Sequence, residues 1–259
     1  VSLPLHAGWL ARLRAAADVP PRVPREPLWA GDALIGSVEP DFFPRLHLPA
    51  SLVREHAGGW QVLGDVTTTL GIVAQTMRAA GLAHVWRDEQ LAVTDDRART
   101  LGTIERAAVR PLGITTFAVH LAGVAPDGRH WVQQRSWDKA NDPGLWDTLM
   151  GGLVPASDSL EEALARETWE EAGLRMAQLH ELRWGGRITT RRPSRDVAGG
   201  YLVEHIDWYR CVVPEGVVPS NQDGEVQQFA LFDGAELAAK LLGDEFTLEA
   251  AWVLSQSAA

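Results

Sequence analysis

The hydrophobic and polar positions fall into two patterns that meet near residue 110. In the first, apolar residues recur at helical spacing from Leu3 to Ala17, and a proline-rich connector, PPRVPREP, follows. AGDALIGSVE carries a short strand signal. In DVTTTLGIVAQTMRAAGL, the placing of Leu70, Val73, Met77 and Ala80 predicts a longer helix. HVWRDEQLAV alternates as a strand does, and TIERAAVRPLG predicts a helix closed by Pro111 and Gly113.

From Ile114 onward, strand signals are separated by turns. ITTFAVHLAGV and WVQQRS flank the turn APDGRH and predict a hairpin. A loop, WDKANDPGLWD, and an apolar stretch, TLMGGLV, lead into an acidic helix. Then come a strand in LHELRWGGRITT, an arginine-rich loop in RRPSRDVAGG, strands in YLVEHIDWYRCVV and EVQQFALFD, and helices in GAELAAKLL and TLEAAWVLSQ. These patterns predict a small α+β domain over residues 1–110 and a mixed-sheet domain over residues 111–259.

Composition narrows the class. The 259 residues are 46% hydrophobic and 22% charged, ordinary for a globular chain, and no apolar run approaches the roughly 20 residues of a membrane span. A net charge of −10 argues against broad nucleic-acid binding. The single cysteine, Cys211, excludes an intramolecular disulfide, and the N-terminal stretch lacks the build of a secretion signal. The expectation is a cytoplasmic protein acting on a small molecule, with no nucleic-acid or membrane partner. Each of the eleven tryptophans reads first as core packing, and His120, His130, His180 and His205 read as structural.

The acidic helix carries the chemistry. Ser159 and Glu162 stand in capping-box spacing, and Gly173 is placed as a left-handed C-terminal cap. At roughly 100° per residue, Leu160, Ala163, Leu164, Glu167, Glu170 and Glu171 share an arc of about 120°. A solvated acidic face would set the acids opposite the leucines. Three carboxylates leaning inward repel one another and resist desolvation, so a cation is expected between them. Oxygen-only ligands suit Mg²⁺ or Mn²⁺. Spacing alone is met equally well by an acidic helix with buried stems.

The stretch GGLVPASDSLEEALARETWEEAGL resembles the signature of Nudix hydrolases, G-x5-E-x7-R-E-U-x-E-E-x-G-U, through Gly152, Asp158, Arg166, Glu167, Thr168, Glu170, Glu171, Gly173 and Leu174. Asp158 replaces the first glutamate, and Thr168 fills an aliphatic slot. The resemblance implies an α/β/α sandwich with metal held by Glu167, Glu170, Glu171 and the Gly152 carbonyl, and with Arg166 orienting a glutamate. Glu167, Glu171 or Glu225, the last in NQDGEV, would be the base.

Arg135, Ser136 and Lys139, with Pro143 to Asp147, resemble the segment before this box in family members that act on diphosphates. Arg135, Lys139 and Asp147 are therefore expected at the substrate, with Trp137 or Trp146 stacking on a flat heterocycle. Arg191, Arg192 and Arg195 read equally as substrate contacts or as a solvated loop. Met150 stands where the isopentenyl diphosphate isomerases have their catalytic cysteine, which disfavours isomerase chemistry.

GDALIGSV from Gly31, WRDE from Trp86, IERA from Ile104 and DGEV from Asp223 extend the resemblance to Nudix proteins associated with thiamine pyrophosphokinase. That group implies cleavage of thiamine diphosphate, or its oxo and oxy analogues, to the monophosphate. Alternatives are a nucleoside-diphosphate-linked or damaged-nucleotide substrate and a non-catalytic ligand sensor. The N-terminal domain either caps the site, through Trp86 or Arg87, or serves homodimerisation.

Overall fold

A computed structural model describes residues 3–257. Its N-terminal region builds a four-stranded sheet from β1 (Glu26–Ala30), β2 (Ala33–Val38), β3 (Val53–His56) and β4 (Gly59–Val62), in the order β2-β1-β4-β3. The sequence pattern suggested one strand here. The others escape it because they are four or five residues long and too short to show a period. Next come α2 (Val66–Ala79), N-capped by Asp65, then a separate hairpin of β5 (Gln90–Thr94) and β6 (Thr100–Glu105), and the short α3 (Arg106–Val109). Leu70, Val73 and Met77 of α2 pack with Leu91, Val93 and Ile104 of the hairpin in one core.

Two expectations change. The strand read from His84 begins only at Gln90, and the helix read over residues 103–113 is the end of β6 plus a four-residue helix. Thr100 to Ile104 pair with β5, so a helical path opens only at Arg106.

The second sheet has seven strands: β7 (Thr115–Val124), β8 (His130–Arg135), β9 (Trp146–Asp147), β10 (Met150–Leu153), β11 (His180–Pro193), β12 (Tyr201–Val212) and β13 (Val226–Phe232). The main path is β11-β12-β7-β8-β13, with β10 paired to β7 and β9 to β8. β12 runs parallel to β7 while the other pairs are antiparallel, so the sheet is mixed. β11 takes in Arg191 and Arg192, which shortens the expected arginine-rich loop.

Helices cover both faces, which is why β7 is buried at nearly every position. α4 (Leu160–Ala172) lies on the face of Val119 and Leu121, with Leu149, Met150, Leu164 and Leu174 between the layers. The opposite face, with Ala118, Ile206 and Trp208, packs against α5 (Gly234–Leu242) and α6 (Leu248–Ser257). This is the α/β/α sandwich. α1 (Ala7–Ala17) seats Trp9 and Leu13 in this same core, against α6, although it precedes the N-terminal sheet in sequence.

Polar contacts tie the N-terminal region to the second sheet. The Arg25 guanidinium donates to the carbonyls of Ser37, Pro111 and Gly199. Asp196 is held by Arg110 and lies 3.2 Å from His84. No helix among the described residues is long and apolar enough to cross a membrane.

Candidate functional site

α4 begins with the reciprocal capping box expected of Ser159 and Glu162, and Gly173 ends it at φ 64°. The helix rests on β10 so that its acids meet the Gly151–Gly152 pair. A Cβ on Gly152 would stand 2.1 Å from the Glu167 carboxyl carbon, so only glycine allows this approach. A Cβ on Gly151 would stand 2.7 Å from the His120 ring.

Arg166 organises the outer part of the site. Its Nη1 donates to Glu167 and to Glu170 at 2.9 Å each, and its Nε donates to Asp158 at 2.9 Å. The shorter Asp158 thus still reaches the arginine. Burial works against the Arg166 charge, but Asp158, Glu167 and Glu170 outweigh it and raise its pKa.

Glu171 lies deeper, 1% exposed, and accepts from Gln133 Nε2 at 2.7 Å and from the Gly151 N–H at 3.1 Å. Lys139 Nζ stands 3.4 Å from Glu171 and pairs with Glu225. Burial pushes the Glu171 carboxyl up in spite of these donors. Burial and the Glu171 charge together push Glu167 up to about 7. Burial would also raise Glu225, but Lys139, with Arg106 and Arg135 nearby, holds it below the usual glutamate range.

These groups open into a cleft of about 790 Å³. Arg135 borders it, bonded to the Asn141 carbonyl at 3.0 Å and 3.4 Å from the buried Asp147. The N-terminal region supplies one wall through Arg87, Glu89, Arg106 and Arg110. Glu167, Glu170, Glu171, Glu225, Arg135, Lys139, Asp147, Arg166 and Gly152 therefore meet around one space.

The tryptophans do not join them. Trp146 is buried beside Phe232, ring centroids 4.9 Å apart, with Lys240 over its ring, so it belongs to the core. Trp137 is exposed and its ring covers Gly144, outside the cleft lining. Trp86 stacks under Arg78, leaving Arg87 as the cleft residue of that pair.

Sequence reasoning missed Glu204 and Glu249 at the far end of the cleft, where they gather with Arg192 and with His120, which was read as structural. Their signal was faint: single charged residues interrupt the apolar runs YLVEHIDWY and TLEAAW. Of the three loop arginines, Arg192 and Arg195 line the cleft and Arg191 does not.

The carboxylate set offers the hard oxygen donors that a divalent cation takes, and two of its members are destabilised as anions by burial. Among the described residues no three acidic, histidine or cysteine side chains are gathered tightly enough to hold a metal. Arg166 and Lys139 stand between the glutamates instead. The donor chemistry fits; the cationic side chains would have to give way.

An acidic helix behind a diglycine strand on an α/β/α sheet defines a class of protein. The NUDIX domain family matches residues 116–250, and the chain belongs to that family. Nudix hydrolase 20, chloroplastic, of Arabidopsis thaliana is 34% identical over 191 residues, which cover 70% of this chain and 49% of that protein. Nudix hydrolase 24, chloroplastic, of the same plant is 33% identical over 139 residues, 52% of this chain and 37% of that protein. The chain thus matches half or less of the length of either relative. Among solved structures, DR0079 from Deinococcus radiodurans is similar in fold, with TM-score 0.51 and 21% identity over 65% of this chain and 99% of that one.

Proposed function

We propose that the chain is a Mg²⁺-dependent hydrolase, with Mn²⁺ able to substitute, of a diphosphate linked to an organic group. Thiamine diphosphate or its oxo and oxy analogues are the substrates, and the monophosphate is the product. The observation that carries the reading is the meeting of Glu167, Glu170 and Glu171 with Arg135 and Lys139 around one cleft. An anion would find Arg135 and Lys139 beside the acidic helix there, in a chain of net charge −10.

Glu167, Glu170, Glu171 and the Gly152 carbonyl would hold the metal. When bound, the metal neutralises phosphate oxygens and lowers the pKa of water. Arg135 and Lys139 bind the diphosphate and take up charge as the anhydride breaks. Arg166 keeps Glu167 and Glu170 oriented, and whichever of Glu167, Glu171 or Glu225 is left free of metal accepts the proton of the attacking water. The N-terminal region from β1 to α3, rather than all of residues 1–110 since α1 joins the second core, serves as a cap, a role supported by Arg87, Glu89 and Arg106, with Arg110 just after α3, on the cleft wall. The identities with the two plant hydrolases support catalysis over a sensor role.

The test is product analysis by mass spectrometry with Mg²⁺, on thiamine diphosphate, its oxo and oxy forms, ADP-ribose, dinucleoside polyphosphates and oxidised deoxynucleoside triphosphates. Loss of one phosphate fastest from the thiamine compounds is expected. Reaction of nucleotides alone would replace the substrate assignment, and a panel inert with both metals would remove the hydrolase reading. Glu171→Gln is expected to lower turnover at least 100-fold while the chain stays folded; near wild-type turnover would sink the metal assignment.

A further inference from the structure

The far end of the cleft, across Gly151 and Gly152 from the acidic helix, has an arrangement that phosphate cleavage does not use. β12 and β7 run parallel with Glu204 beside Thr116, and the alternation of side chains puts Glu204, Thr116, Ala118 and His120 on one face of the sheet. α6 brings Glu249 over this face. Thr116 donates to Glu204 Oε1 at 3.0 Å, while Oε2 accepts from no protein group among the described residues. Asp147 and Glu249 have arginine partners in Arg135 and Arg192, but Glu204 has no ion pair among the described residues. Burial and then the Glu249 charge disfavour the ionised form of Glu204, and Thr116, Arg110 and His120 offset them in part.

His120 completes the arrangement. It is 6% exposed and borders the cleft. The Thr148 hydroxyl lies 2.7 Å from the Met150 carbonyl and gives its hydrogen there, so its oxygen accepts from His120 Nδ1–H at 3.0 Å. In the tautomer with the hydrogen on Nδ1, Nε2 presents a lone pair to the cleft. Nε2 has no hydrogen-bond partner among the described residues. Two acceptors, Glu204 Oε2 and His120 Nε2, with no hydrogen-bond donor among the described residues therefore border the same cleft. A ligand that presents N–H groups to both would satisfy them together.

We propose that Glu204 and His120 form a head-group subsite that selects a nitrogenous organic group presenting N–H donors, such as an amino-substituted or cationic heterocycle. This rests on the proposed diphosphate chemistry and adds to it a direction. The proposed metal ligands, with Arg135 and Lys139, place the diphosphate at the α4 end of the cleft, which leaves the head group toward β12. Glu204 and His120 are specificity determinants and take no part in bond breaking.

The test is calorimetric binding to the full chain, with Ca²⁺ in place of Mg²⁺ to slow turnover. The probes are inorganic diphosphate, isopentenyl diphosphate, ADP and thiamine diphosphate. Wild type is expected to bind at least one of the last two 10-fold or more tighter than isopentenyl diphosphate, whose head group has no N–H. Glu204→Gln, nearly isosteric and able to keep the Thr116 contact, should erase that preference and leave inorganic diphosphate within twofold. Equal binding of all organic diphosphates by wild type would overturn the subsite, and that comparison needs no variant. So would a Glu204→Gln chain that keeps the preference, or a folded one that loses all probes alike. Failure of wild type to bind inorganic diphosphate would instead bring down the diphosphate reading itself, and the subsite with it.

Discussion

Gly152 shows how one residue without a side chain sets the geometry of several with one. Its Cα faces the Glu167 carboxylate so closely that a methyl group would occupy the carboxyl carbon's own space. Gly152→Ala must therefore push Glu167 off the position where Arg166 holds it, or bend β10. Overpacking of this kind costs about 1–3 kcal/mol. The larger effect should fall on chemistry: we expect turnover to drop at least 10-fold, against a fall of only a few degrees in Tm. Measuring both on one preparation checks it, and unchanged turnover would show that Glu167 need not sit over β10. The carboxylates were only half legible in the helical arc, which an acidic helix with buried stems meets equally well, and it was the signature residues around them that singled them out. Trp137 and Trp146 were misassigned to stacking because sequence gives a tryptophan's presence and not the direction of its ring. Glu204 was overlooked for a related reason. A lone acid in a strand looks like a solvent-facing position until a parallel neighbour shows which face it takes.

At the scale of the element, α4 was legible almost to the residue, since its cap, apolar stripe and terminating glycine all agree. The β5–β6 hairpin was not. Its second strand ends in Glu105 and runs directly into α3, so apolar positions from two elements overlay into a false helical period. α4 also contains one local inconsistency. Thr168 is fully buried, and its hydroxyl has no hydrogen-bond partner. Thr168→Val keeps the shape and removes the orphaned group, so we expect about 1 kcal/mol of added stability, or roughly 2–4 °C in Tm for a chain of this size. A thermal melt decides it, and a lower Tm would show that the hydroxyl has a partner in solution.

Across the whole molecule, the cleft has walls from both regions, and the arginine contacts to Ser37, Pro111 and Gly199 hold those walls in register. Neither pattern along the chain could show this, because the pairing is between residues far apart in sequence. The same holds for α1, which packs on α6 with both sheets lying between them in the chain. Leu13→Ala should cost about 2–5 kcal/mol. Contacts that close so long a loop are expected to form after the rate-limiting step, so the loss should appear mainly as faster unfolding, with refolding slowed less than twofold. Stopped-flow refolding and unfolding arms would separate the two, and a slowed refolding arm would place α1 in the nucleus.

That placement has a consequence during synthesis. The four-stranded sheet and the β5–β6 hairpin can assemble as they leave the ribosome, because their partners are close in sequence. The helix that emerges before them cannot. Its apolar side, with Trp9 and Leu13, has nowhere to go until α6 has been made, so it waits exposed while every residue between the two helices is translated. A nascent chain stalled before residue 248 should therefore display an unburied amphipathic helix to any chaperone that surveys the tunnel exit.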